Sequence, residues 1–149
     1  YRVGILFDRD RSRRRRGVGQ CTYLDKELKR FNMESSKKGF LPMSHGIKLS
    51  KNQCPMMTDE RSRMISIPYA SAIGSIMYAM ICTRSDVSYA LSVTSRYQSD
   101  PVEIHWTAVK NILKYLRRTK DMFLVYGGEQ ELGVKGYSDA SFHTDLDDS

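Results

Sequence analysis

Residues 100–119, DPVEIHWTAVKNILKYLRRT, constrain the fold of this chain more than any other stretch. Asp100 as an acidic cap, Pro101 at the first helical position and Glu103 soon after form a helix start signal. The helix this predicts, over 101–119, sets Trp106, Val109, Ile112, Leu113 and Leu116 along one side. Its other side carries Lys110, Lys114, Arg117 and Arg118. Spacings of three and four keep each set on one stripe, so the helix must lay its apolar side on other elements of the same chain or of a partner.

Those other elements are legible on the N-terminal side. YASAIGSIMYAMICT, after Pro68, predicts a helix with Ile73, Ile76, Met77 and Met80 on one face, and with Ala72, Ser75 and Ala79 letting a neighbour approach closely. Ser85 or Asp86 then caps a second helix whose shared face is Val87, Ala90, Leu91, Thr94 and Tyr97. Further upstream, Thr22 with Asp25 three residues later resembles a capping box, and Leu24, Leu28 and Phe31 follow at helical spacing. Between these helices, residues 35–66 lose periodicity and gather Ser, Lys, Gly and Pro, which predicts a long flexible connector.

The two ends read as strands. Val3, Ile5 and Phe7 alternate before RDRSRRRRG, and Val18 resumes the alternation, which predicts a β-hairpin over residues 1–20. Its tip would carry Arg11, Arg13, Arg14, Arg15 and Arg16. At the other end MFLVY, 122–126, reads as a strand, Gly127-Gly128 as a turn, and 132–139 as a second strand ending at Asp139. The predicted class is therefore α+β, with an N-terminal hairpin, a mainly helical middle and a C-terminal hairpin.

Charge is spread unevenly along this order. Residues 1–63 hold 16 basic and 7 acidic side chains, whereas residues 129–149 hold one and six. A basic body suits a polyanion such as nucleic acid, which the hairpin tip (Arg13, Arg14, Arg15, Arg16) and the helical stripe (Lys110, Lys114, Arg117, Arg118) would contact through phosphates. Three widely spaced cysteines, Cys21, Cys54 and Cys82, favour a reducing compartment over a disulfide framework and supply no zinc spacing. The histidines His45, His105 and His143 are scattered as well. The longest apolar stretch, 72–82, is far short of the roughly 20 residues of a membrane span. No membrane partner is expected. With Tyr1 at one end and aspartates at the other, the chain reads as a segment cut from something longer.

Several blocks in order, PYASAIGSIMY, CTRSD, SRY with Pro101 after it, HW followed by AVKNILKYLRRT, and GYSDAS, resemble the polymerase region of copia-type retrotransposons. The resemblance covers the end of reverse transcriptase and the start of ribonuclease H, and VGILFDRD and CTYLDKELKRFNM extend it over nearly the whole chain. It implies four regions. Residues 1–34 would hold the hairpin and helix after the polymerase active site, 35–66 a linker, 67–121 a helical thumb and connection, and 122–149 a truncated start of a ribonuclease H-like sheet. The hairpin would lie beside the primer end. Asp139 would match the first carboxylate by which ribonuclease H holds magnesium. Ser85 stands where the family has proline in CTRPD, and Ser141-Phe142 where it has Asp-Trp after YSDA.

Chemistry limits what such a segment can do alone. Two-metal phosphodiester hydrolysis needs ions about 4 Å apart, held by carboxylates from several elements. Asp139 is a single ligand of an incomplete site, and magnesium prefers a full octahedral oxygen shell. The expectation is a noncatalytic remnant with no cofactor of its own, magnesium belonging only to an intact parent enzyme. Its partners would be nucleic acid, bound weakly and nonspecifically, and the missing parts of a parent polyprotein, in cytoplasm or nucleus. The same sequence type also resembles oomycete secreted effectors of the RxLR kind, which implies an alternative: a virulence protein secreted into a plant cell, where it suppresses cell death. The nearest tetrapeptide here is KYLR, 114–117, within the predicted helix.

Overall fold

The computed structural model describes residues 5–12, 15–44, 49–50 and 58–127. Among them run strands β1 (Leu6–Asp10) and β2 (Arg15–Gly19), then helix α1 (Cys21–Arg30). Helices α2 (Thr58–Ile65), α3 (Tyr69–Cys82), α4 (Ser88–Ser95) and α5 (Glu103–Thr119) follow, and strand β3 (Leu124–Gly127) closes the order. The class is α+β, with the expected hairpin at the N-terminal side.

One core is built around α5. Val109, Ile112, Leu113 and Leu116 are buried against Leu24 and Leu28 of α1, Ile73 and Ile76 of α3, and Val87, Ala90 and Leu91 around α4. On α4 the buried stripe is the one the helical spacing gives. Val87, Ala90, Leu91, Thr94 and Tyr97 are all buried, as expected. On α3 the stripe is rotated. Tyr69, Ala72, Ile73, Ile76 and Ala79 are inside, Met80 is half-buried, and Met77 is exposed. The small residues, not the methionines, mark the centre of the packed face: Ala72 and Ala79 have no exposed surface.

Helix ends differ from the expected caps. Helix α1 starts at Cys21 with Gln20 as its cap residue, so Thr22 lies inside the helix, and Asp25 pairs with Lys120 (2.6 Å) instead of closing a capping box. Its C-terminus is a Schellman motif. Asn32 takes φ 55°, its N–H donates to the Lys29 carbonyl, and the Met33 N–H donates to the Leu28 carbonyl. Met33 and Leu28 then meet in the core. Helix α5 starts two residues later than Asp100 and Pro101 suggest. Val102 is its cap residue, and its backbone N–H donates to His105 Nδ1 (3.2 Å). His105 is fully buried and stacks on Tyr97 with ring centroids 4.0 Å apart. Accepting at Nδ1 fixes the neutral ring with its proton on Nε2.

The stretch expected as a connector, 35–66, is only partly one. Helix α2 occupies its end, and its first half is strapped onto α5. The Gly39 N–H donates to the Lys114 carbonyl (3.0 Å), and a Cβ at Gly39 would sit 3.1 Å from Lys114 Cβ and from the Tyr115 nitrogen. Glycine is what allows that approach. Met43 and Leu49 pack with Tyr97 and Ala108 in a small second cluster.

Strand β3 realises the expected strand at 122–126, but its partner is β2. The sheet is antiparallel in the order β1-β2-β3, with Phe7 opposite Val18 and Val18 opposite Leu124. It thus joins the two ends of the described chain, where the sequence suggests that 122–126 opens a separate sheet. The second C-terminal strand expected at 132–139 lies outside the described residues. Phe123 covers the β2 glycines: a Cβ on Gly19 would lie 2.9 Å from its ring.

Candidate nucleic-acid interface

The CTRSD block shows how the helical frame is held in place. Thr83 and Arg84 follow the last turn of α3, and both backbone N–H groups return to the Ala79 carbonyl. Their side chains turn inward. The Thr83 hydroxyl donates to Gln20 Oε1 (2.7 Å), tying the start of α1. Arg84, 5% exposed, forks onto Asp86 (Nε to Oδ1 3.0 Å, Nη2 to Oδ2 2.7 Å) and donates to the Thr119 carbonyl and hydroxyl at the end of α5. Tyr115 donates its hydroxyl to the same carboxylate (2.7 Å). A second network joins α1 to α3: Ser75 and Arg30 donate to Glu27, and Tyr23 donates to the Ser75 carbonyl.

On this frame the candidate cations fall into separate groups. At the hairpin, Asp10 Oδ1 accepts from the Ser12 N–H (3.0 Å) and hydroxyl (2.6 Å), which shapes the turn. Around it Arg9, Asp10, Arg11, Arg15 and Arg16 line an open concavity of about 340 Å³. Arg15 and Arg16 are exposed there. Arg13 and Arg14, and likewise Asp139, lie outside the described residues. The strand register also assembles a surface that the sequence analysis did not include. Phe7, Arg9, Arg16 and Tyr126 share one face of the sheet, with Phe7 78% and Tyr126 60% exposed. Alternation along β1 was the available signal for Phe7 and Arg9. Tyr126 joins them only through the long-range pairing of β2 with β3.

The α5 stripe is divided. Arg117 donates to the Ser36 carbonyl, and Arg118 lies over the Phe40 ring, 3.9 Å from its centroid. Both guanidinium groups therefore engage the connector. Lys114 lies beneath Gly39. Lys110 lies farther back and lines a cleft with Arg63, Met64, Ile67, Glu103 and Trp106.

Among the described residues no group of three His, Cys, Asp or Glu side chains converges in a way that could hold a metal ion. No helix among them is long and apolar enough to cross a membrane.

Comparison with known proteins places this frame in a larger context. Over 145 residues, 97% of its length, the chain is 42% identical to the retrovirus-related Pol polyprotein from transposon TNT 1-94 of Nicotiana tabacum, and covers 11% of that protein. It is 33% identical over 131 residues, 88% of its length, to the Pol polyprotein from transposon RE2 of Arabidopsis thaliana, covering 8% of it. It is also 40% identical over 84 residues, 56% of its length, to secreted RxLR effector protein 161 of Plasmopara viticola, covering 59% of that protein. The chain thus spans about a tenth of the length of the Pol polyproteins it matches, and its resemblance to retrotransposon polyproteins extends along nearly all of it. No protein-family profile matches the chain. No solved structure matches it either.

Proposed function

We propose that this chain is a noncatalytic segment of a copia-type retrotransposon polyprotein, from the end of reverse transcriptase into ribonuclease H, and that its own activity is weak electrostatic binding of nucleic acid. The observation that carries this reading is the 42% identity to a Pol polyprotein over 97% of the chain. The arginine-lined hairpin supports it. Arg9, Arg11, Arg15 and Arg16 converge on one concavity, where phosphates would find several cations at once. Catalysis is not assigned, because Asp139 is one carboxylate where a two-metal site requires several. Any magnesium chemistry belongs to an intact parent.

Affinity for a labelled duplex or single strand is expected to fall about tenfold or more between 50 and 200 mM salt, as contacts to several phosphates require. Arg15→Glu with Arg16→Glu is expected to weaken binding and flatten that dependence. Binding indifferent to salt, or unchanged in the double variant, would remove the electrostatic reading.

A second reading rests on the match to the Plasmopara viticola effector: a secreted protein that suppresses plant cell death. The geometry of KYLR argues against a motif read by a receptor. Residues 114–117 lie within α5, and Arg117 is bound to the Ser36 carbonyl. Under the polyprotein reading, leaf cells expressing this chain and challenged with a death elicitor are expected to necrose as controls do. Reduced necrosis would favour the effector.

A further inference from the structure

The cleft between α2 and α5 has a composition that the charged stripe alone does not explain. Its volume is about 230 Å³, below the roughly 300–1,000 Å³ of sites for drug-sized ligands. Glu103, Trp106 and Lys110, at i, i+3 and i+7 of α5, form one wall. Arg63, Met64 and Ile67 form the other. The cleft thus brings together one indole, two apolar side chains, two cations and one carboxylate. The half-buried indole of Trp106 is held from behind, packed against the main core with its ring tilted 53° to that of Tyr69 at 6.2 Å. Tyr69 is itself fixed, donating its hydroxyl to the Thr94 carbonyl (2.7 Å). This backing holds the indole in place on the cleft wall.

We propose that this cleft takes one unpaired nucleobase of a single-stranded nucleic acid. The base would stack on Trp106 between Met64 and Ile67, and the adjoining phosphates would meet Arg63 and Lys110. Stacking of this kind contributes about 1–3 kcal/mol per base and tolerates any base. Glu103 adds selectivity. An ionised carboxylate only accepts hydrogen bonds, so it favours bases with an exocyclic amine, such as cytosine, over thymine or uracil, which present carbonyl oxygens there. The proposal rests on the nucleic-acid reading above and adds a site away from the hairpin. It also accounts for Lys110, which the stripe of cations on α5 leaves apart from Arg117 and Arg118.

Trp106 is the only tryptophan in the chain, so its fluorescence reports this cleft directly. Oligo-dC, oligo-dT and a duplex of equal length are titrated into the full chain, reading tryptophan emission and, separately, anisotropy of a label on the oligonucleotide. Oligo-dC is expected to quench emission at lower concentration than oligo-dT, by about fivefold for one added hydrogen bond, and the duplex is expected not to quench. Glu103→Gln should erase the dC over dT preference, and Lys110→Glu should weaken both, with circular dichroism unchanged. Anisotropy that rises without quenching would overturn the cleft while leaving nucleic-acid binding at the hairpin intact. No change in either signal would overturn both. Equal quenching by the duplex, or quenching by an acidic peptide but not by oligo-dC, would also overturn the proposal.

Discussion

Ile112→Ala is expected to destabilise the fold by about 4 kcal/mol, within the range for emptying a fully buried isoleucine. Ile112 has no exposed surface and sits mid-way along α5, the helix against which α1, α3 and α4 all bury side chains. The hole left by truncation is bounded by several rigid helices, so little of it can collapse. With domain stabilities of about 5–15 kcal/mol, such a loss removes a large part of what is available. For an urea dependence of about 2 kcal/mol per molar, the midpoint should move down by roughly 2 M. Ile104→Ala provides the contrast. Ile104 is on the same helix but 43% exposed, and its loss is expected to stay under about 1 kcal/mol. Equal effects for the two variants in urea unfolding followed by circular dichroism would show that α5 does not carry the core.

How much of this was readable in the sequence depended on the range of the interaction. Faces set by local spacing were legible. The stripe Val87, Ala90, Leu91, Thr94, Tyr97 needed only the helical period, and Leu24, Leu28 and Phe31 needed no more. The sequence misleads where size stands in for position, as with Met77, which is exposed while Ala72 and Ala79 are fully buried. Helix α2 has no periodic signal, because TDERSRMI holds just two large apolar residues. The pairing of β2 with β3 spans more than a hundred residues, and no local pattern specifies it.

The candidate site divides in the same way. That Lys110, Lys114, Arg117 and Arg118 share a helix was evident. That Ser36 and Phe40 would occupy two of those cations was not, because the strap depends on Gly39 approaching α5. The helical spacing puts Trp106 on the core side of α5, and it is core on one side only. Its other side becomes a cleft wall because α2 stands opposite. The departure at Ser85 has a simple physical reading. It is the first residue of the short 3-10 turn Ser85–Val87, where serine and the proline of the related pattern both fit.

Arg84 offers the second large effect, and one that pH exposes. Its side chain is 7% exposed against 40% for its partner Asp86. Arg84→Ala removes the fork onto Asp86 and both contacts to Thr119, leaving the Tyr115–Asp86 hydrogen bond as the remaining polar tie described between the α3–α4 junction and α5. Breaking a buried pair costs about 3–5 kcal/mol. The partly solvated Asp86 places the expected loss near the lower end, about 3 kcal/mol. Arg84→Lys should recover little, since one ammonium cannot fork onto the carboxylate and also reach Thr119.

The acid limb of the stability curve separates charge from packing. Burial pushes the Asp86 carboxyl up, but hydrogen bonds from Arg84 and Tyr115, with the Arg84 charge, outweigh it and hold the group below its ordinary 3.8. A carboxyl depressed on folding stabilises the native state above its unfolded pKa, and that contribution is lost as pH falls through the folded value. Wild type should therefore exceed Asp86→Asn by a constant margin at neutral pH, and the margin should shrink below about pH 4. Urea midpoints measured from pH 7 to pH 2 would decide it. A margin that stays constant to the lowest pH would mean that the Arg84 fork holds Asp86 by shape alone.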